Sequence, residues 1–402
     1  MLFNFVGPIG GVSEVLSRMF AFLDSPDERP WVAMGAFAVF VMLGCLWIHQ
    51  AQVLPGVSST DTGLEGEVLD MQWGSDGTDA LALVDSSSGP ILQIRDSDGS
   101  WSTLECACSP TAIGGSDSSW VIGGENGWFG QIDAGSNNLM TRSLEWGGTP
   151  PDILSIDGDL YSGWMIVELE NGIRETVTWN LLEVSNQTPA PLASIILTDV
   201  EVVTGGALII GYDLSAGNPA DGPTAEVLIA GSVVPESAPH LDLLHLGAGA
   251  PFHTILSTDD GPWSDVFIGI VAGGDSVYGI QMDHSVHRIP GSTGSDTMAM
   301  DSEGGLWLSD DSTLLTFGMG DSSYRTVLLP EGVGDDIGMA FSAGDSVVLI
   351  ASDGSERVTI DPSAQHSILQ SLQILGDFIL FLVFLVFAGF GAHTLLRRHE
   401  IF

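Results

Sequence analysis

The sequence lacks lysine altogether, and its ten basic residues are all arginines. Aspartate and glutamate together number 52, which gives a formal net charge of −42 at pH 7. Binding to nucleic acid without sequence preference depends on basic side chains that neutralise phosphates, so we predict no nucleic-acid partner. Two explanations of the acidic composition stay open. Either the protein is exported and adapted to a salty medium that screens its self-repulsion, or the whole genome shares the bias.

Cysteine is scarce, with three residues in 402. Cys45 lies in an apolar run, whereas Cys106 and Cys108 flank a single alanine. Two thiols cannot form a zinc site alone, and no further cysteine or histidine stands nearby at zinc-ligand spacing. The pair is therefore interpreted in three ways: as inert thiols at a strand edge, as a strained disulfide, or as a reactive pair. The disulfide between Cys106 and Cys108 is a candidate site.

Signatures of cofactor chemistry are missing from the sequence. It contains no glycine-rich phosphate loop and no Gly-x-Ser-x-Gly elbow, so we predict no cofactor and no catalytic residue. Two acidic stretches, DSDG at 96–99 and DGD at 157–159, resemble parts of calcium loops but lack the full ligand set, which favours ordinary turns.

The histidines offer two weak candidate metal sites. Their members are His284 with His287, and His240, Asp242, His245 and His253. In a strand, His240 and Asp242 would share a face while His245 points away, so we predict no metal site.

The sequence is rich in glycine, with 51 residues, and in short apolar runs between acidic turns. Residues 297–318, TMAMDSEGGLWLSDDSTLLTFG, show the unit most clearly: alternating methionines, a turn, the apolar core LWL, a second turn and a new strand. Weaker copies fill residues 64–363 as seven blocks with a period of roughly 43 residues, which is typical of β-propellers. We therefore predict an all-β domain, a seven-bladed β-propeller, with six or eight blades as alternatives. The last block lacks one strand, which residues 53–66 are predicted to supply.

Some of these blocks carry known repeat patterns. DSEGGLW at 301–307 resembles the repeat of two-component-regulator propellers, and VIGGENGWFGQIDAG at 121–135 is similar to the blade repeat of quinoprotein-type propellers, which YGIQMD at 278–283 matches in part. The resemblance implies a propeller fold and brings no catalytic residue with it.

One further stretch, STDDGPW at 257–263, is similar to the Asp-box turn of sialidase propellers, but its tryptophan comes one residue early. That box is a structural turn, and sialidase-type catalysis would need clustered arginines to hold a carboxylate. The arginines of the domain fall mostly in different blocks: Arg95, Arg142, Arg174, Arg288, Arg325 and Arg357.

Two long apolar runs bracket the repeats. WVAMGAFAVFVMLGCLWI at 31–48 is 18 residues without a charge, and a second run at 374–396 is rich in phenylalanine and leucine. Both lengths predict transmembrane helices. Arg18 and Arg29 precede the first run, Arg397 and Arg398 follow the second, and no arginine lies close to either run on its inner side. The positive-inside rule therefore predicts a cell-membrane protein with both termini in the cytoplasm and the β domain outside. For the first run, a cleaved signal peptide and a lipoprotein box at 42–45 are the rival interpretations.

Residues 11–23 have apolar side chains at helical spacing, which predicts a helix on the inner membrane surface or one packed on a partner subunit or on the following span. The predicted divisions of the chain are a cytoplasmic segment with this helix at 1–30, a transmembrane helix at 31–50, a linker at 51–63, an extracytoplasmic β-propeller at 64–363, a linker at 364–373, a second transmembrane helix at 374–396 and a cytoplasmic tail at 397–402. Asn186, in the sequon Asn-Gln-Thr, is a candidate glycosylation site of the outside domain.

The function predicted from these features is a membrane-anchored, non-enzymatic platform that binds other membrane or surface proteins, because a propeller offers a broad rigid face built from loops. The alternative is an extracellular hydrolase or lyase that acts on glycans in the central channel of the propeller. Paired carboxylates, histidine or arginine on the innermost strands would favour the enzyme. Small or apolar residues there would favour the platform.

Overall fold

The structure is a computed structural model that describes residues 39, 40, 42, 44, 56–64, 66–74, 77–96, 98–116, 119–133, 136, 138–215, 225–233, 238–259, 261–273, 276–289, 295, 297–310, 313–321, 323–327, 337–351, 353–363, 376 and 378–384. Contacts divide the chain into two compact units, Met1–Val53 with Ser371–Phe402, and Leu54–Gln370.

The second unit is a seven-bladed β-propeller. Its described residues form 29 strands in seven antiparallel sheets, which we call blades 1 to 7 in chain order. Blade 1 consists of β2 (Glu67–Trp73), β3 (Ala80–Ser86), β4 (Gly89–Arg95) and β5 (Trp101–Leu104). Blade 2 consists of β6 (Pro110–Ser116), β7 (Ser119–Gly124), β8 (Phe129–Asp133) and β9 (Met140–Arg142), with a short 3-10 turn at Glu125–Gly127. Blade 3 consists of β10 (Asp152–Gly158), β11 (Ser162–Glu168), β12 (Arg174–Asn180), β13 (Glu183–Val184) and β14 (Thr188–Pro189).

The remaining blades repeat the same arrangement. Blade 4 consists of β15 (Ile195–Val203), β16 (Gly206–Asp213), β17 (Ala225–Ser232) and β18 (His240–Ala248). Blade 5 consists of β19 (Phe252–Ser257), β20 (Gly269–Gly273), β21 (Ser276–Ile280) and β22 (Val286–Arg288). Blade 6 consists of β23 (Thr297–Met300), β24 (Leu306–Asp310), β25 (Thr313–Phe317) and β26 (Arg325–Val327). Blade 7 consists of β27 (Ile337–Ala343), β28 (Ser346–Ala351), β29 (Glu356–Ile360) and β1 (Val57–Asp61).

The middle strands of the blades are apolar on both faces. Every described side chain of β7 is buried, and so are the first five of β3. A continuous apolar run of this length is expected where a strand is covered on both sides, and here each blade packs between two others. Seven hydrophobic clusters fill the seven junctions between neighbouring blades, one at each. The core of the domain is therefore a ring of interfaces rather than one central mass.

The ring closes by strand exchange, as the sequence predicts. The segment before blade 1 forms β1, which pairs antiparallel with β29 from Val57 opposite Ile360 to Asp61 opposite Glu356. Thr62 then continues the closure, since its N–H donates to the carbonyl oxygen of Ser355. The strand that closes the last blade thus comes from the other end of the domain, which leaves blade 7 with four strands like most others.

The first unit is described at five single positions and in one short run. Val39, Phe40, Met42, Gly44 and Gly376 are helical, and so is the run 378–384. Gly44 lies against Leu380, because a Cβ atom at Gly44 would stand 3.5 Å from Leu380 Cδ2. The predicted interfacial helix at 11–23, the flanking arginines and the tail at 397–402 lie outside the described residues.

Within the described part of the chain, no helix is both long and apolar enough to cross a membrane. The prediction of a cell-membrane protein with transmembrane helices at 31–50 and 374–396, both termini in the cytoplasm and the β domain outside is therefore wrong. A membrane span needs roughly 20 consecutive helical residues to cross about 30 Å of hydrocarbon, whereas the longest continuous helical run among the described residues is 378–384.

Candidate functional site

The innermost strands of the seven blades form the wall of a central channel. These strands are β2, β6, β10, β15, β19, β23 and β27, and each contacts the innermost strands of both neighbouring blades. Six of the seven carry a register shift near their start, for example between Leu197 and Asp199 in β15. Such bulges bend a strand and re-aim its side chains.

Four carboxylates stand on this wall. Asp70 lies in β2, Asp157 in β10, and Asp199 and Glu201 in β15, where their spacing of two residues places them on one side of the strand. Asp157 is buried and the other three are half-buried.

Each of these carboxylates reaches the innermost strand of a neighbouring blade. Asp157 accepts hydrogen bonds from Gly115 N at 2.9 Å and from Val202 N at 2.6 Å, so it joins blades 2, 3 and 4. Asp70 accepts from the backbone N–H of Ile113 in blade 2 and, at 2.7 Å, from its own neighbour Met71.

Blade 4 is held to both of its neighbours in the same way. Asp199 Oδ1 accepts from Ser155 Oγ of blade 3 at 2.7 Å, and Ser155 Oγ in turn accepts from Val200 N at 3.1 Å. Glu201 Oε1 accepts from Ser257 N of blade 5 at 3.2 Å. The inward edge of an innermost strand has no partner strand, so its N–H groups need other acceptors. The acidic side chains supply them.

The carboxylates also act on one another through their charges. Burial, and next the charge of Asp199, raise the pKa of Asp70 to about 7. Burial raises the pKa of Asp157 to about 7 as well, against the opposing effect of its backbone donors. The pKa of Asp199 is raised by burial, and that of Glu201 is raised well above its ordinary value by burial and by the charges of Asp157 and Asp199.

Close packing of the wall depends on a glycine. A Cβ atom at Gly114 in β6 would lie 1.9 Å from the carbonyl oxygen of Ile156 in β10, a distance at which no side chain fits. Gly114 therefore lets two innermost strands approach beside Asp157, whose donor Gly115 is the next residue.

The channel wall thus contains carboxylates, which the enzyme alternative required, but they brace the blades. Among the described residues, no histidine or arginine hydrogen-bonds to Asp70, Asp157, Asp199 or Glu201. Two arginines do come together elsewhere, since Arg95 and Arg357 lie 5.4 Å and 5.5 Å from the ring centre of Trp73. That cluster sits at the junction of blades 7 and 1. The geometry does not support a glycan-active site in the channel.

The candidate metal-ligating histidines do not converge. His240 Nε2 pairs with Asp242 Oδ1 at 3.1 Å on the surface, whereas His245 Nε2 contacts Glu226 Oε2 at 2.8 Å beneath it. The described residues contain no group of three or more metal-ligating side chains. Glu226 also accepts a hydrogen bond from Tyr278 at 3.3 Å, and it is buried between blades 4 and 5.

The acidic stretches at 96–99 and 157–159 were interpreted from the sequence as ordinary turns, and most of their aspartates do lie in turns. Asp98 Oδ1 accepts from both N and Oγ of Ser100, and Asp159 Oδ1 accepts from N of Tyr161 and of Ser162. Asp157 is the exception, since it belongs to the strand and to the channel. In the Asp-box-like stretch, Trp263 donates its indole N–H to Gly304 O at 2.6 Å, which joins blades 5 and 6.

Cys106 and Cys108 are joined in a disulfide in this structure, with Cα atoms 5.2 Å apart. Asn186 is exposed in the turn between β13 and β14. The oxidation of the pair and the glycosylation of Asn186 stay predictions.

One end of blade 3 presents an exposed apolar patch, which we define as Tyr161, Leu181 and Leu182. Their exposed fractions are 60%, 55% and 40%. Tyr161 lies in the turn between β10 and β11, and the leucines lie between β12 and β13. Leu181 N donates to Tyr161 O at 2.5 Å, and Glu145 N donates to Leu182 O at 2.9 Å, so both turns are tied down.

Leu181 has a φ of 59°, the left-handed region that favours glycine. A non-glycine residue there is strained by about 1–2 kcal/mol. A large apolar residue that is both strained and exposed contributes little to its own fold.

Sequence reasoning missed the channel carboxylates and the patch. The channel carboxylates could have been found from the run TDVEV at 198–202, because acidic residues at alternate positions of a strand share a face. No local signal marks the patch, because Tyr161 and Leu181 are 20 positions apart and meet only through the pairing of β11 with β12.

Neither a protein-family model nor a curated protein sequence matches this chain. Solved structures do match it. The structure of YCF48 bound to D1 peptide is 13% identical with a TM-score of 0.51, over 76% of this chain and 97% of that one. The β-propeller domain of Cps50 (Swd1) from Myceliophteria thermophila is 9% identical with a TM-score of 0.51, over 75% of this chain and 99% of that one. At these identities the likeness shows the propeller fold.

Proposed function

We propose that the protein is a non-enzymatic platform that binds other proteins, and that the apolar patch of blade 3 is a docking site. The observation that carries this proposal is Leu181, which is 55% exposed and holds a left-handed φ of 59°. Strain at an exposed residue persists where the surrounding structure enforces it, and such positions cluster at ligand-binding sites.

The chemistry around the patch indicates the kind of partner. Glu145, Asp159 and Glu183 flank the three apolar side chains, in a chain with a net charge of −42. Buried aromatic and aliphatic anchors supply most of the affinity of a protein interface, and a charged rim sets the rate of association. A partner with an apolar anchor and a basic rim fits these features. One propeller of similar fold is bound to a peptide, which supports a peptide or protein ligand for this propeller.

The test compares three forms of the protein as bait in extracts of its source cells. We expect the unmodified protein and Ile173→Ser to retain the same proteins, and Tyr161→Ser/Leu181→Gly to lose them. Ile173 is a matched control, because it is 50% exposed but sits in the turn between β11 and β12, at the opposite end of blade 3.

Stability separates loss of the site from loss of the fold. The single substitution Leu181→Gly removes the backbone strain at this position. The free energy of unfolding of this single variant should therefore rise by about 0.5–1 kcal/mol, after allowance for the greater freedom of glycine in the unfolded chain. A variant that is more stable and yet binds less supports the patch. If all three baits retain the same proteins in the same amounts, the patch is not a docking site.

A further inference from the structure

As far as the structure describes the blades, the outermost strand of blade 4 is longer than the other outermost strands. β18 runs for nine residues, His240–Ala248, whereas its counterparts β1, β5, β9, β13, β14, β22 and β26 have two to five. Outermost strands expose unpaired N–H and C=O groups, and proteins commonly shorten them to prevent unwanted pairing. Blade 4 does the opposite.

Within the described part of the chain, no strand covers the outer edge of β18. There β18 pairs with β17 alone, from His240 opposite Ser232 to Ala248 opposite Ala225. In an antiparallel ladder, alternate residues turn their N–H and C=O groups away from the partner strand. Among the described residues, none outside β17 forms a backbone hydrogen bond with β18. None of its nine side chains is fully buried.

The edge is held in place from both faces of the sheet. Leu241 and Leu243 pack into the cluster shared with blade 3, and Leu244 packs into the cluster shared with blade 5. His245 contacts the buried Glu226 at 2.8 Å. β18 is therefore a fixed template rather than a loose end.

We propose that the open edge of β18 binds an extended, basic segment of a partner protein by strand addition. Main-chain hydrogen bonds to an exposed edge give affinity in this mode, and side chains at alternate positions give specificity. The segment is basic because the chain carries a net charge of −42, β18 contains no arginine, and its one acidic residue, Asp242, is exposed beside His240. A second copy of the chain would bring the same negative charge to the edge, which disfavours self-pairing.

The probe is a ten-residue peptide of alternating valine and threonine with arginine at every third position, titrated into the full chain. One control peptide has its alternate backbone amides N-methylated, and a second has glutamate in place of arginine. We expect either change to weaken binding at least about tenfold, since several hydrogen bonds or the charge attraction are lost. Hydrogen exchange should slow at alternate amides of β18 when the first peptide binds.

Three results would overturn the inference. They are no binding of the arginine peptide at millimolar concentration, equal binding of the N-methylated peptide, and unchanged exchange in β18. A dimer in which β18 is protected without peptide would assign the edge to a second copy instead. This inference deepens the proposed binding role but uses another surface. Tyr161→Ser/Leu181→Gly should bind the peptide unchanged, so the two proposals fail separately.

Discussion

The aspartates of the channel wall and those of the surface turns have the same side chain in opposite environments. Burial raises the pKa of Asp70 and of Asp157 to about 7. In the turns, the hydroxyl and N–H of the serine two residues later bond to the aspartate and lower its pKa, as at Asp283 and Asp353. Burial therefore sets the pKa of the channel aspartates, and local hydrogen bonding sets the pKa of the turn aspartates.

This difference gives the two groups opposite effects on stability. A carboxyl group with a raised pKa holds its proton in the folded state after the unfolded state has released it, so stability falls as pH rises from about 4 to about 7. A carboxyl group with a lowered pKa stabilises the fold above its unfolded pKa, and this contribution is lost as pH falls through the folded pKa. The ring is therefore braced by groups that oppose folding at neutral pH.

The largest effect should come from forcing the wall apart. In Gly114→Ala, the new Cβ atom would clash with Ile156 O, which lies 1.9 Å from its position. We expect the free energy of unfolding to fall by about 3 kcal/mol, the upper range for overpacking. Gly148→Ala is the control, because nothing lies within 4 Å of a Cβ atom there. Denaturant titration measures both variants, and equal stability would show that β6 and β10 can move apart freely.

A second variant removes one charge from the wall without changing its shape. Asparagine at position 199 keeps Oδ1, which accepts from Ser155 Oγ and Val200 N. Because Asp199 raises the pKa of Asp70 and Glu201, Asp199→Asn should relieve repulsion once these groups ionise. We expect its free energy of unfolding at pH 8 to rise by about 1.4 kcal/mol, the equivalent of one pKa unit, with little change at pH 5.

The matched control for Asp199→Asn is Asp283→Asn in a surface turn. The pKa of Asp283 is lowered by Ser285, so its neutralisation should not stabilise the protein at pH 8. Melting curves at pH 5 and pH 8 compare the variants. The same gain from both substitutions would mean that the benefit comes from lower overall charge and not from the channel.

Most of the fold could be predicted from the sequence, because its signals are local. Strand runs such as LWL at 306–308 lie between acidic glycine turns, and the count of such runs gives seven blades and the missing strand of the last one. The turn aspartates could be predicted for the same reason, since the donor serine stands two positions away.

The contacts that build the candidate sites could not be predicted, because they join residues far apart in the chain. Asp157 and Val202 are 45 positions apart and meet only when blades 3 and 4 stand side by side. The length of β18 is also invisible locally, because the apolar run LDLLHL at 241–246 does not show where pairing with β17 ends. At the apolar runs 31–48 and 374–396 the sequence predicted a feature that the structure contradicts, because the length of the runs was taken to indicate membrane spans.

The smallest effect on stability should come from a substitution in a single surface turn. Its dependence on pH should be opposite to that of the channel carboxylates. Asp353 Oδ1 accepts from N and Oγ of Ser355, in the turn between β28 and β29. Asp353→Asn keeps this oxygen acceptor and removes the charge, whereas Asp353→Ala removes both. We expect Asp353→Ala to lower the melting temperature at pH 7 more than Asp353→Asn does, because the N–H of Ser355 loses its acceptor.

The same turn anchors the strand that closes the ring, since Thr62 N donates to Ser355 O. Hydrogen exchange should therefore speed up in β1 in Asp353→Ala before it does so in blades 1 to 6. Ser355 lowers the pKa of Asp353, and acidification through that lowered pKa protonates Asp353 in the unmodified protein, so the difference from the alanine variant should shrink there. If the difference in stability between the unmodified protein and Asp353→Ala grew on acidification, Asp353 would behave like the channel carboxylates. The contrast between burial and local hydrogen bonding as causes of the pKa would then be wrong.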